Sequence, residues 1–194
     1  MTTNETVPKR LKERVKEHEN QPVQYAKDED GVFYPVTYGE FWQRVLQLAV
    51  ALKKLGVRRG DHVGIMSDNR QEWLVTDFAL LTLGGVDVPR GSDSTDEEMA
   101  YILRHADCRI TFAENPSQCE KILSRAAEIP ELQKIVLYDD YSSRSERPQH
   151  ERISVQSYDE LFALGADAPA EELDEVEKEL ALGKSDDLAT LLYT

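Results

Sequence analysis

A chain of 194 residues can bury one substantial core or two small ones, and its 40% hydrophobic content is enough for a globular fold. Asp and Glu number 37 against 23 Lys and Arg, and the resulting net charge of -14 argues against nucleic acid as a partner. Cys108 and Cys119 are too few for a disulfide scaffold, no apolar run approaches the roughly 20 residues of a membrane span, and the charged N-terminus lacks the apolar core of a secretory signal, so a reduced, cytoplasmic setting is expected.

From Pro8 to Glu19, Leu11 and Val15 lie one turn apart among charges, which predicts a short helix. Two strand-like runs, Val23 to Lys27 and Val32 to Thr37, flank Asp28-Glu29-Asp30-Gly31, a hairpin signal with Gly where a left-handed residue is needed. Thr37-Tyr38-Gly39-Glu40 is a capping box, in which the hydroxyl and the carboxylate each satisfy the other residue's amide. The helix it starts carries Phe41, Val45, Leu48, Ala49, Leu52 and Leu55 on one stripe and stops at Gly56. Lys53 and Lys54 suit the negative end of its dipole.

Gly60 to Ala113 reads as strand, helix, strand, helix, strand. Asp61 to Met66 is a short apolar run, and Asn69 followed by Glu72 has capping-box spacing, which predicts that Asn69 caps a helix over Arg70 to Leu83. Gly84-Gly85 ends that helix, and Val86-Asp87-Val88 is a second strand closed by Pro89. A box at Thr95-Asp96-Glu97-Glu98 starts the next helix, with Met99, Ile102 and Leu103 apolar, and Arg109 to Ala113 is the third strand.

Gln118 to Glu128 then fits a helix and Lys134 to Leu137 a fourth strand. Asp139 to Arg152 is polar and reads as an exposed loop, and Ser157-Tyr158-Asp159-Glu160 caps a short helix that ends at Gly165. Asp167 to Glu179 is dominated by acids around Leu173, Val176 and Leu180, the pattern of a helix with a solvated charged face. Asp187 to Tyr193 is a final strand, and the polypeptide is expected to continue past Thr194, because no turn or polar tail follows it.

Strands alternating with helices imply crossover units. The expected fold class is therefore α/β, a layered parallel sheet with flanking helices, preceded by a helix and a β-hairpin. Four segments are expected: 1–58 packing its helices and hairpin on the core, a parallel core over 59–140, a polar and acidic connection over 141–185, and a strand over 186–194.

Residue chemistry alone shows no active site. Neither common glycine-rich phosphate fingerprint is present, and His18, His62, His105 and His150 have no metal-ligand partner at short spacing. Structural roles fit His62 at a strand start and His105 at a helix C-terminus. Ser67 and Ser92 follow strands, at the edge where open parallel sheets bind ligands, but lack a Gly-x-Ser-x-Gly elbow and read as turn residues. Asp93 and Asp96 read as loop and helix-start acids rather than a metal site.

Several stretches, taken in order, resemble the N-terminal part of the AMP-forming acyl-CoA synthetases, in the adenylate-forming superfamily that includes the luciferases. They are Val36 to Glu40, Ala51 to Met66, Asp68 to Trp73, Gly84 to Pro89 and Thr95 to Leu103. The similarity covers most of residues 8 to 137 and returns at Asp186 to Thr194. It implies the N-terminal part of the family's large domain. Asp187 to Thr194 looks like the strand leading into the family's phosphate loop, which begins Tyr-Thr and continues with Ser/Thr, Gly and Lys. By resemblance, then, Tyr193 and Thr194 begin an ATP phosphate loop.

The resemblance further implies a parent enzyme that uses ATP and Mg2+ to activate a fatty acid, releases pyrophosphate, and passes the acyl-adenylate to coenzyme A. The loop glycines, the catalytic Lys and the adenine-binding segment of the family lie outside these residues. The polypeptide alone is accordingly expected to be inactive, with no catalytic residue and no cofactor of its own. Val88 to Thr95 departs from the commoner family wording, which has an apolar or small residue after the Pro. It looks more like a bacterial long-chain branch, so long-chain fatty acids are the implied substrates and peripheral membrane contact of the parent an implied partner. Self-association through Leu188, Leu191 and Leu192 is expected. Three other readings stay open: a stand-alone small-molecule-binding or regulatory domain, an interaction module using Asp167 to Glu179, and a ligase acting on another carboxylate.

Overall fold

The computed structural model describes residues 4–28, 30–139 and 147–194. It opens with helix α1 (Val7–His18) and an antiparallel hairpin of β1 (Pro22–Lys27) and β2 (Phe33–Thr37). Ala26 and Val36 are the buried residues of the hairpin, while Tyr25 and Phe33 face solvent with the Lys27 ammonium 4.8 Å above the Phe33 ring. Helix α2 (Tyr38–Lys54) starts at the expected box: Glu40 N donates to Thr37 Oγ1 at 3.2 Å and Thr37 N to Glu40 Oε2 at 2.8 Å.

The main sheet is parallel, with strands β3 (His62–Met66), β4 (Val86–Arg90), β5 (Ile110–Ala113), β6 (Lys134–Leu137) and β7 (Ser154–Ser157) in the order β4-β3-β5-β6-β7. Side chains alternate across the pleat. Val63, Ile65, Phe112 and Val136 face one core, shared with α2 and with α3 (Gln71–Leu83), α6 (Tyr158–Ala163) and α7 (Ala170–Leu182). Met66, Val88, Ala113, Ile135 and Leu137 face the other, shared with α4 (Asp96–His105) and α5 (Pro116–Ser124). Burial on both faces is why these strands are nearly continuous apolar runs. At Gly64 a Cβ would stand 2.5 Å from Leu103 Cδ2 and from Thr111 Oγ1, so α4 packs against bare backbone there. Cys108 and Cys119 lie fully buried in the second core, and burial pushes both thiols up to about 12.

The parallel strands, the flanking helices and the boxes at Thr37, Thr95 and Ser157 fall as the sequence indicates. Two local expectations do not hold, and others gain detail. Asn69 is not an N-cap: α3 begins at Gln71, its cap residue is Arg70, and no side chain caps it. Glu72 Oε2 accepts instead from Arg70 Nε at 2.8 Å, and Arg70 is itself held by Asp139 at 2.7 Å and by the Tyr138 ring. A charge-assisted bond displaces the weaker box.

The acidic face of α7 is solvated as expected, and part of it is engaged in ion pairs. Glu172 pairs with Lys54 at 2.8 Å, Glu175 with Lys53 at 3.3 Å, Glu179 with Arg59 at 3.3 Å, and Glu177 with Lys12. Val176 and Leu180 are buried beneath these pairs.

The expected strand over Asp187 to Tyr193 forms a single bridge, Thr190 beside Asp87, because β4 offers it one paired residue. Residues 140–146 of the expected polar loop lie outside the described residues, and beyond them β7 is an additional strand. Its pattern is polar because it forms the sheet edge, with Val155 opposite Ile135.

Arg152, read from sequence as a loop residue, donates from Nη1 to the carbonyls of Pro130 and Leu132 and from Nη2 to those of Ala126 and Ile129. It closes the 3₁₀ turn Ala126–Glu128 onto the start of β6. A planar fork is needed to reach four acceptors, and lysine has none. Arg152→Ala is expected to cost about 1–3 kcal/mol, and Arg152→Lys to recover little of it. Urea denaturation of the three proteins checks this, and full recovery by lysine would contradict it.

Candidate functional site

Because every strand of the main sheet runs the same way, the loops at their carboxyl ends share one edge. The chain leaves β3 sideways for β4 and then returns to β3's other side for β5, so the strand order reverses between β3 and β5. Open parallel sheets bind ligands in the crevice at such a point. Here Glu114, just past β5, fills it: Oε2 accepts from Asp68 N at 2.7 Å and from Ser67 Oγ at 3.4 Å. Asp68 accepts in turn from Ser92 Oγ at 2.7 Å and Ser92 N at 3.0 Å, and these bonds hold its carboxyl below the usual carboxylate range. Gln118 Nε2 donates to Ser92 O at 2.7 Å.

Ser67 and Ser92 therefore serve the turns, and the crevice carries the two carboxylates of Glu114 and Asp68. Asp96 pairs with Arg125 Nε at 2.7 Å, and no group of three His, Cys, Asp or Glu among the described residues is placed to hold a metal ion.

The second feature of this edge is the segment that carries Tyr193 and Thr194. It runs parallel to the free side of β4. Leu191 N donates to Asp87 O at 2.9 Å, Asp87 N donates to Ala189 O at 3.2 Å, and Thr190 Oγ1 donates to Asp87 Oδ2 at 3.2 Å. Upstream, Arg59 holds Asp187 at 3.1 Å. Parallel pairing delivers Tyr193 and Thr194 to the carboxyl edge, where with Arg90, Glu97, Glu98 and Tyr101 they line a cavity of ≈ 340 Å³. Burial raises the Tyr193 phenol above its ordinary value, so it stays protonated and can donate. The two residues picked out by resemblance lie side by side at this edge.

Sequence reasoning missed the acids beside them. A groove of ≈ 960 Å³ between α3 and the terminal segment is lined by Trp73, Phe78, Leu81 and Leu192, with Asp77 and Asp87 among them. Asp87 is 3% exposed. Burial and then the neighbouring Asp87 charge push Asp77 up to about 7, and burial pushes Asp87 up to about 6. The pair spans a helix and a strand, so no local motif announces it. The one available signal is an acid alternating with two valines in Val86-Asp87-Val88.

Solved structures share this fold. An anthranilate CoA ligase in complex with anthranoyl-AMP matches with a TM-score of 0.74 at 20% identity, covering 100% of this chain and 32% of that one. The A domain of a carboxylic acid reductase from Segniliparus rugosus, in complex with AMP and a co-purified carboxylic acid, matches with a TM-score of 0.72 at 18% identity, covering 96% of this chain and 34% of that one. The fold is thus that of part of these two proteins.

The AMP-binding enzyme family matches residues 11–194, and this chain belongs to it. A long-chain-fatty-acid–CoA ligase of Mycobacterium tuberculosis is 32% identical over 181 residues, which cover 92% of this chain and 28% of the relative. A chloroplastic long-chain-fatty-acid–[acyl-carrier-protein] ligase of Arabidopsis thaliana is 31% identical over 163 residues, covering 82% and 22%. The chain spans about a quarter of the length of these curated relatives.

Asp77 and Asp87 bind protons more readily folded than unfolded. Between about pH 4 and pH 7 the folded chain therefore holds more protons at this pair, and the pair's contribution to stability falls as pH rises through that window. Asp77→Asn removes the burden of a buried charge. It should raise stability at pH 8 by about 1 kcal/mol or more and change little at pH 4. Denaturation midpoints of both proteins at the two pH values check this, and an equal effect at both would refute it.

Proposed function

We propose that the chain is the N-terminal portion of a cytoplasmic long-chain fatty-acid–CoA ligase, with peripheral membrane contact of the whole enzyme. In the reaction a fatty-acid carboxylate oxygen attacks the α-phosphorus of ATP and pyrophosphate leaves. The thiol of coenzyme A then displaces AMP from the acyl-adenylate. Magnesium accompanies the triphosphate. The observation that supports this reading is the parallel edge segment, which brings Tyr193-Thr194, the residues that by resemblance begin a phosphate loop, to the carboxyl edge. Such loops bind triphosphate through successive backbone N–H groups and hydroxyls, with a lysine offsetting charge. The fatty-acid class is supported by the names of the relatives in Mycobacterium and Arabidopsis.

The natural gene, expressed with the coding sequence downstream of Thr194, should release pyrophosphate from ATP and magnesium in the presence of a long-chain fatty acid. The product should be acyl-CoA by mass spectrometry. A preference for short or aromatic carboxylates would replace the substrate class, and transfer only to acyl-carrier protein would replace the thiol. Residues 1–194 alone should release none above blank, since stabilising the charge that develops on the transferring phosphorus takes donors aimed at it. Fatty-acid-dependent release by that polypeptide would overturn the placement of the chemistry outside it.

The reading also includes self-association of residues 1–194. Leu188 is 52% and Leu192 71% exposed, along a segment that pairs with β4 at a single residue. Apolar side chains beside open backbone groups favour edge pairing. Light scattering should show dimers or larger species, enhanced by salt that screens the net charge of -14. A monomer at both low and high salt would refute it.

A further inference from the structure

The segment ending in Tyr193 and Thr194 is fastened at three places. Arg59 holds Asp187, Asp87 holds Ala189 to Leu191, and α4 holds the ring of Tyr193. The third fastening is a cluster of three rings. His105 Nδ1 lies 2.7 Å from the phenolic oxygen of Tyr193. Tyr101, one helical turn before His105, stacks on the imidazole with centroids 5.5 Å apart and planes at 24°. The Tyr193 ring meets both edge-on, at 5.6 Å and 87° to His105 and at 6.3 Å and 88° to Tyr101.

Aromatic pairs at these separations and angles attract beyond the area they bury. The i, i+4 spacing puts Tyr101 and His105 on one face of α4, so the clamp belongs to a rigid element. Leu192 and Thr194 on either side of Tyr193 are exposed. The orientation of this stretch is therefore set through the Tyr193 ring. A cradle of backbone amides needs that orientation, because a hydrogen bond weakens steeply with misalignment and a small displacement of a binding group is costly.

We propose that His105 and Tyr101 are positioning residues that grip the Tyr193 side chain and thereby aim the start of the phosphate loop at the triphosphate of ATP. The inference rests on the ligase reading above. Both residues act through Tyr193. His105 supplies the hydrogen-bond partner of the phenol, and Tyr101 holds the imidazole plane in place.

The test has two arms. In residues 1–194, hydrogen exchange is followed at the Leu191 amide, which is bonded to Asp87 O, with the β3 amides as a control for global folding. His105→Ala should speed exchange at Leu191 about fivefold, the weight of one hydrogen bond, and leave β3 unchanged. His105→Gln keeps a hydrogen-bonding side chain and should restore part of the protection. Tyr193→Phe loses the hydrogen bond but keeps its ring contacts, so it should speed exchange less than His105→Ala, and the double variant should add little to His105→Ala. In the enzyme expressed with its downstream sequence, His105→Ala should raise KM for ATP about fivefold, leave KM for the fatty acid unchanged, and be rescued in part by His105→Gln.

Unchanged exchange at Leu191 in His105→Ala would overturn the clamp and leave the ligase reading standing. Faster exchange with an unchanged KM for ATP would overturn the positioning role. Faster exchange in a protein that forms no acyl-adenylate would refute the ligase reading and, with it, the purpose assigned to the clamp.

Discussion

Parallel pairing is the constraint on which the remaining structure depends. Strands that point the same way need a crossover between each pair, and those crossovers cover both faces of the sheet. The strands must then be apolar on both sides, and polar groups collect where they end. Five carboxyl ends meet at one edge of this sheet, and the terminal segment, pairing in the same direction on β4, has its last residues delivered there as well. Antiparallel pairing would have carried Tyr193 to the opposite edge, away from Arg90 and the α4 helix.

Features that close within a few residues were legible in the sequence. The boxes at Thr37, Thr95 and Ser157 each need two side chains three residues apart, and nothing distant competes for them. Asn69 and Glu72 have the same spacing and fail, because Arg70 is held by Asp139 and Tyr138 and draws the carboxylate to itself. The four carbonyls gathered by Arg152, the strand β7 and the Asp77–Asp87 pair all depend on residues distant in the chain. Within the candidate site, Tyr193 and Thr194 were visible only through family resemblance, since two residues make no motif of their own. The ring cluster on His105 left no local trace, because a histidine at a helix C-terminus already suits the dipole.

Charge is distributed more purposefully than the net value suggests. The carboxylates of α7 meet cations from α1, from α2 and from the turn before β3, so the helix ties the start of the chain to its last segment. Exposed pairs of this kind contribute little individually. The burial of Val176 and Leu180 does more to hold the helix, and the ion pairs fix its rotation about that apolar seam.

The two deeply buried cysteines have a consequence for how opening of the molecule can be followed. Reaction with an alkylating reagent requires a thiolate, and burial keeps Cys108 and Cys119 in the neutral form at any pH the fold meets in a cell. Both side chains sit in the core beneath α4 and α5, the side of the sheet that carries the Tyr101–His105 face. Labelling of either cysteine therefore registers separation of those helices from the sheet, which gives the native chain a chemical clock for that motion without any added probe.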